Sequence, residues 1–353
     1  MILSCGLQAS SERFPGHDFN SVHVHLNDFG TDPDSLWSCI QDMVYIIKHN
    51  NSGKPVDFIA IADDEHTLDQ LKEIYVDGNQ RFLSEDYGQG YRDAINTVYR
   101  PDLSEMKVRG TYAAIILGRI AERLDPNAQK VNLKVISGDA SEFIDNAHFE
   151  QDDDRSSPNY FFAAPVLVSI SQQTNSSSLL EKYYVDSSGS DYILNYLSDM
   201  RNDRQLVVIG GGSMQFFTRL HEHPIADFCD VVIQGTRISY ANPSYDENIK
   251  SHNEKIGVRS KKKLFRELMP NANKFKSFWV VDSDITSFTP SCTGQDMPKY
   301  IEWLNTSGLE RILSAEEISM MAEVDHWHSQ WGRGLNTRFS DSALIAFKYS
   351  LAD

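Results

Sequence analysis

Val22 to Leu26 alternates apolar and polar residues, the pattern of a short strand, and from Leu36 the apolar positions Leu36, Trp37, Ile40, Val44 and Ile47 recur at helical spacing. Asp34 or Ser35 stands where that helix needs a cap. The run Asn50-Asn51-Ser52-Gly53-Lys54-Pro55 predicts a turn, and Val56 to Ala62 is a continuous apolar, β-branched stretch of the kind buried on both faces of a parallel sheet. A second helix follows from about Glu65 to Tyr75. Strand and helix thus alternate, which predicts an α/β architecture: three layers, with a mixed or mostly parallel sheet and flanking helices, because each parallel strand needs a crossover that covers one sheet face.

Gly110 to Leu124 carries a broad apolar stripe through Tyr112, Ile115, Ile116, Ile120 and Leu124 and stops before Pro126, so it predicts a largely buried helix. Val131 to Ile136 reads as the next strand. The polar, acidic segment His148 to Pro158 then reads as a surface loop or boundary, dividing an N-terminal α/β region (1–147) from an α/β nucleotide-binding region (148–353); one continuous domain is the alternative. Beyond it the pattern predicts strands at Tyr160–Ile170, Leu206–Ile209, Asp230–Gln234 and Phe278–Val281. Helices are predicted at Ser190–Met200, Ser213–His221, Met297–Leu304 and Ala315–Ala322, with Ala343–Tyr349 as a closing strand. No internal repeat is evident.

Composition narrows the function classes. The 353 residues are 41% hydrophobic and 24% charged, enough for a sizeable core. Lys plus Arg is 33 against 50 for Asp plus Glu, a formal net charge of −17, which disfavours gripping a nucleic-acid backbone or an anionic membrane. No stretch approaches the ~20 apolar residues of a membrane span, and Met1 to Phe14 lacks the basic and apolar regions of a secretion signal. The expectation is a soluble protein of a cytoplasm, or one delivered to a host cytosol as a bacterial effector. Cys5, Cys39, Cys229 and Cys292 are far apart and form no Cys-x-x-Cys pair, which argues against zinc ribbons and fits a reducing compartment.

The strongest local signal for chemistry is the strand Leu206–Ile209 running into Gly210-Gly211-Gly212-Ser213-Met214-Gln215-Phe216 and a helix. Glycines let backbone N–H groups approach a ligand, and a helix start favours negative charge, so this loop can cradle a phosphate. It is neither a Walker A loop nor a full Gly-x-Gly-x-x-Gly; the plainer reading is a β-to-α turn that binds nothing. Ser137-Gly138-Asp139 places a carboxylate just past a strand, as a ligand contact or as a turn or cap residue. Ser171 to Ser178 is a polar loop containing Asn175 whose amides suit sugar hydroxyls.

Across Val131 to Gln234 these three features resemble the macrodomain family, which binds ADP-ribose and includes ADP-ribosyl hydrolases and poly(ADP-ribose) glycohydrolases. The resemblance implies a macrodomain-like second half in which Asp139 takes the adenine amino group and Asn175 meets the distal ribose. It places the diphosphate against Gly210, Gly211, Gly212, Ser213 and Met214, with Phe216 against the distal ribose. ADP-ribose is then the candidate ligand, no cofactor is required, and the partner is a nucleotide-type small molecule or an ADP-ribosylated protein. Gln215 stands where that family usually has glycine, and no Gln-Glu-Glu catalytic motif occurs, so the resemblance names no catalytic residue.

Other readings use the same segments. A Rossmann-like methyltransferase would lay S-adenosylmethionine over Gly210 to Gly212, with Ala343–Tyr349 as a late strand, although the strand after the loop ends in Gln234-Gly235 rather than in an acidic residue. Asp282-Ser283-Asp284 matches the Asp-x-Asp of metal-dependent glycosyltransferases. Asp63-Asp64 at a strand end equally suits a helix start. His23 with His25, and His326 with His328, are i, i+2 pairs without an evident third metal ligand, so packing or surface roles are expected, and Trp327, Trp331 and Tyr349 are expected to complete a core. Lys261-Lys262-Lys263 is the single basic patch. A non-enzymatic reading leaves the glycine loop as a turn and uses the acidic surface for a basic partner.

Overall fold

In the computed structural model, residues 3–4, 15–16, 18–27, 29, 33–62, 66–73, 76, 95–96, 99–138, 176–211, 214–234, 268–281, 291–292, 337–338, 344–345 and 348–349 are described. Eight strands form one sheet: β1 (Leu3–Ser4), β2 (Val22–Asn27), β3 (Val56–Ala62), β4 (Val131–Ser137), β5 (Tyr184–Val185), β6 (Leu206–Gly210), β7 (Cys229–Gln234) and β8 (Ser277–Val281). Their order is β1-β8-β7-β6-β2-β3-β4-β5. Strands β2 to β8 run parallel, and only the edge strand β1 is antiparallel, on β8. A separate two-stranded ladder joins Ser291–Cys292 to Thr337–Arg338.

The helices α1 (Pro33–His49), α2 (Leu68–Lys72), α3 (Val108–Leu124), α4 (Ser176–Tyr183), α5 (Ser190–Arg201) and α6 (Met214–Leu220) lie on the two faces. On one face α1, α3 and α4 cover Val56, Phe58 and Ala60 of β3 and Leu133 and Val135 of β4. On the other, α5, α6 and two short 3-10 turns, Pro224–Phe228 and Met269–Lys274, cover Val22, Val24 and Leu26 of β2 together with β6, β7 and β8. This is the expected consequence of right-handed crossovers: the chain winds outward from β2 through β3 to β4, then returns and winds outward the other way from β6, so the two sets of crossovers fall on opposite faces. The first-face side of β6, β7 and β8 is closed by Leu344, Ile345 and Tyr349, which pack on Val207, Ile209, Val232 and Val281.

The fold class is therefore the one read from the alternation, but several local expectations change. The sheet is continuous across the boundary placed at residue 148: β6 pairs with β2, so strands from both sides share one core. β2 and β3 lie between β4 and β6, so the strands of the Val131–Gln234 stretch are not contiguous in the sheet. Leu344, Ile345, Lys348 and Tyr349 are helical, not a closing strand: two adjacent residues and the next two after one helical turn all turn inward, a spacing of 3.6 rather than 2. Ser176–Ser178, read as polar loop, opens α4, whose Leu179 and Tyr183 are buried one turn apart. α2 starts after Thr67, later than the predicted Glu65; the Thr67 hydroxyl accepts from the Gln70 N–H while the Gln70 side chain accepts from the Thr67 N–H. The segments 160–170, 297–304 and 315–322 lie outside the described residues.

Candidate functional site

The direction of winding reverses between β2 and β6. Leaving out the two-residue strand β5 and the antiparallel β1, the parallel strands taken in chain order lie in the sheet as 3-2-1-4-5-6, the arrangement of doubly wound dinucleotide-binding sheets. The chain leaves β2 toward one face and β6 toward the other, so a crevice opens between their carboxyl ends, where ligands of open α/β sheets bind. Its rim is set by register: Leu26 pairs with Gly210, Asn27 with Ala62, and Ala62 with Ser137.

The glycine loop borders this crevice. Gly210 ends β6 with Phe217 of α6 directly above it; a Cβ there would lie 2.3 Å from the Phe217 ring and 3.1 Å from Ile233. The need for glycine at this position is thus one of helix-on-strand packing. The Gly211 N–H donates to the Leu26 carbonyl at 3.0 Å, extending the β2–β6 ladder by one bond, so that donor is committed to the sheet. Phe216, expected against a ribose, is 4% exposed and packs edge-on to Phe217 inside the second core cluster; this corrects its role to a core residue. Met214 begins α6. Gly212 and Ser213, between them, lie outside the described residues, as do Asp139, Asn175, Asp63-Asp64, Asp282-Ser283-Asp284, Lys261–Lys263, His326, His328, Trp327 and Trp331.

The topology separates two of the predicted ligand contacts. Asp139 follows β4 and the glycine loop follows β6, with β2 and β3 between, which puts the two strand ends about 14 Å apart at normal strand spacing. Any ligand reaching both must cross the ends of β2 and β3. The methyltransferase reading loses its late strand, since Lys348 and Tyr349 are helical, and its loop follows the fourth strand of the order rather than the first, where a Rossmann phosphate loop stands.

Beneath the crevice, β2 presents a polar row that the sequence analysis assigned to packing or surface. Val22, Val24 and Leu26 face one core; His23, His25 and Asn27 face the other side, under α1, and all six are buried. Asp42 on α1 is the hub. Its carboxylate accepts from His25 Nε2 at 2.6 Å and from Lys348 Nζ at 2.9 and 2.6 Å, and it also accepts from the Tyr349 hydroxyl. Lys348 Nζ also donates to His23 Nδ1 at 2.7 Å. Nearer the crevice, Asn27 Nδ2 donates to Cys39 Sγ at 3.1 Å, so the row runs from the amino end of β2 to its carboxyl end.

His23, His25, Asp42 and Lys348 are fully buried, so charge must balance internally. Burial alone would push the Asp42 carboxyl up; the Lys348 ammonium and the His25 N–H reverse this and hold it well below the usual carboxylate range. Burial pushes the Lys348 ammonium down, against the opposing pull of Asp42. Burial, with Lys348 as the next contribution, lowers His23 to about 3, and His25 is lowered by burial despite its bond to Asp42. The cluster is therefore one carboxylate, one ammonium and two neutral imidazoles. The pairings fix the tautomers: His23 carries its proton on Nε2, 3.2 Å from the Asp18 carbonyl, and His25 carries its proton on Nε2 toward Asp42. Pattern reasoning missed this cluster because Asp42 is one polar residue on an amphipathic helix and Lys348 is 306 positions away.

Among the described residues no group of three or more His, Cys, Asp or Glu is arranged to hold a metal ion, and no helix is long and apolar enough to cross a membrane. No family model and no curated protein matches the chain. Among solved structures, an inosine-uridine preferring nucleoside hydrolase from Bacillus anthracis is similar over 93% of this chain and 82% of its own, at 10% sequence identity and a TM-score of 0.43.

Proposed function

We propose that the protein binds a nucleotide-type small molecule in the crevice between the carboxyl ends of β2 and β6, with a diphosphate against the backbone of Gly212 and Ser213. The observation that carries this reading is the reversal of strand order at β2 and β6, directly where the glycine loop leaves the sheet. Gly210 is committed to packing and the Gly211 N–H to Leu26, so the anion is assigned, by sequence position, to the N–H groups that follow, those of Gly212 and Ser213. ADP-ribose is the ligand the reading favours. In this reading Asp139, which follows β4 in sequence across β2 and β3 from the glycine loop, is the contact assigned to adenine. A protein that holds ADP-ribose this way is placed to hydrolyse an ADP-ribosyl linkage if a carboxylate from the strand ends orients water at the distal ribose.

The reading is tested by two substitutions in the full chain. Gly212→Val removes close approach of the backbone and is expected to weaken ADP-ribose binding at least tenfold while the melting temperature stays within a few degrees. Asp139→Ala is expected to weaken ADP-ribose but not ribose 5-phosphate, which lacks adenine. Unchanged affinity in both folded variants removes the assignment of the site to this crevice.

A further inference from the structure

Leu344, Ile345, Lys348 and Tyr349 form a helical strap over the first-face side of β6 to β8, and its polar end reaches into the body of the protein. Three elements meet it there. From the turn before β2, Gly16 lies so close that a Cβ would fall 2.2 Å from the Lys348 carbonyl. From α1, Asp42 takes the Lys348 ammonium and the Tyr349 hydroxyl, and Tyr45 stacks on Tyr349 with ring centroids 3.5 Å apart. From β2, His23 accepts from Lys348.

The geometry points to an acid-releasable strap: Leu344, Ile345, Lys348 and Tyr349 stay seated while His23 is neutral, and protonation of His23 at Nδ1 expels Lys348 and frees them. An ammonium has three N–H donors, and all three of Lys348 are used, two on Asp42 and one on the His23 Nδ1 lone pair. A proton on Nδ1 turns that acceptor into a donor, setting N–H against N–H at 2.7 Å with two positive charges in a site without water contact. The groups facing His23 are Lys348 of the strap, Asp42 of α1, His25 beside it on β2, the Asp18 carbonyl on its far nitrogen, and Phe19, whose ring stacks at 6.3 Å. Asp42 is the single anion among them and already neutralises Lys348. The neighbours in register on β3 and β6, Phe58 and Val207, are apolar.

The sign follows from linkage. His23 sits at about 3 in the closed cluster against 6.5 when free, so the open state binds the additional proton. Closure is at full strength above pH 6.5 and is lost as pH falls from there toward 3. Between pH 7.5 and 5.0 the opening constant rises by at most about thirty-fold, the limit reached when opening fully solvates His23.

Hydrogen exchange of the full chain, corrected for intrinsic rates, reads this directly. The expected result is that protection of the strap falls, by at most about thirty-fold, from pH 7.5 to 5.0 while β3 and β4 keep theirs. In His23→Asn, whose amide oxygen replaces Nδ1 as acceptor without titrating, protection of the strap is expected to be independent of pH. A wild-type strap whose protection does not change, an equal fall in β3 and β4, or the same acid response in a folded His23→Asn variant would each overturn the proposal. The wild-type comparison of strap against β3 stands even if the variant fails to fold.

Discussion

Lys348→Met lowers the stability of the folded chain by about 3 to 5 kcal/mol, because it strands the Asp42 carboxylate in a fully buried site. The methylene stem is replaced almost atom for atom, so little of the loss comes from packing; the cost is that of a buried anion whose counter-charge is gone. His25 and Tyr349 still donate to Asp42, but neither carries a charge at neutral pH, and burial holds both in their neutral forms. The double variant Asp42→Asn with Lys348→Met removes both charges and recovers most of the loss, since replacing a buried pair by neutral groups is commonly near neutral. Denaturant titration of the wild type, both single variants and the double variant closes the cycle. A loss below about 1 kcal/mol for Lys348→Met would show that the ammonium does not sit on Asp42 in solution.

Phe217→Ala is the second large effect, at about 3 to 5 kcal/mol. The ring is fully buried between α6 and the end of β6, and its edge fills the space that a side chain at Gly210 would need. Gly210→Ala is accordingly destabilising by about 1 to 3 kcal/mol in the wild-type background, since the added methyl meets a ring held on every side. In a Phe217→Leu background the same substitution costs less than in the wild type, because the ring atoms it collides with are absent. Thermal or denaturant unfolding checks all of these. Additive effects of Gly210→Ala and Phe217→Leu would mean that Gly210 is required for another reason, such as contact with a ligand.

The two predictions mark what was legible in the chain. The architecture was, because β3 is an unbroken apolar run and α3 a clear stripe, and each needs only local periodicity to be recognised. β2 shows the limit. Its alternation Val-His-Val-His-Leu-Asn is that of a strand with one wet face, yet the strand is central and both faces are buried, the polar one against Asp42 and Lys348. Nothing local in the sequence announces that partner, since the pairing closes over hundreds of residues. The strap was misread for a related reason: seven apolar-rich residues suit a buried strand or a helix, and only the packing of Leu344, Ile345, Lys348 and Tyr349 on one side decides.

The glycine loop was located from its sequence, but the division of labour within it was not. Three glycines in a row suggest three backbone positions open to a ligand. Gly210 is needed by Phe217, and the Gly211 N–H by Leu26, both consequences of tertiary neighbours. What the topology adds is the place of the loop at the reversal between β2 and β6, which the order of elements along the chain does not reveal.

The most direct test of the proposed site is isothermal titration of the purified full chain with ADP-ribose, beside S-adenosylhomocysteine and UDP-glucose with manganese. The account predicts saturable heat with ADP-ribose alone, lost in Gly212→Val. Absence of binding to ADP-ribose, or equal binding to S-adenosylhomocysteine, would contradict it.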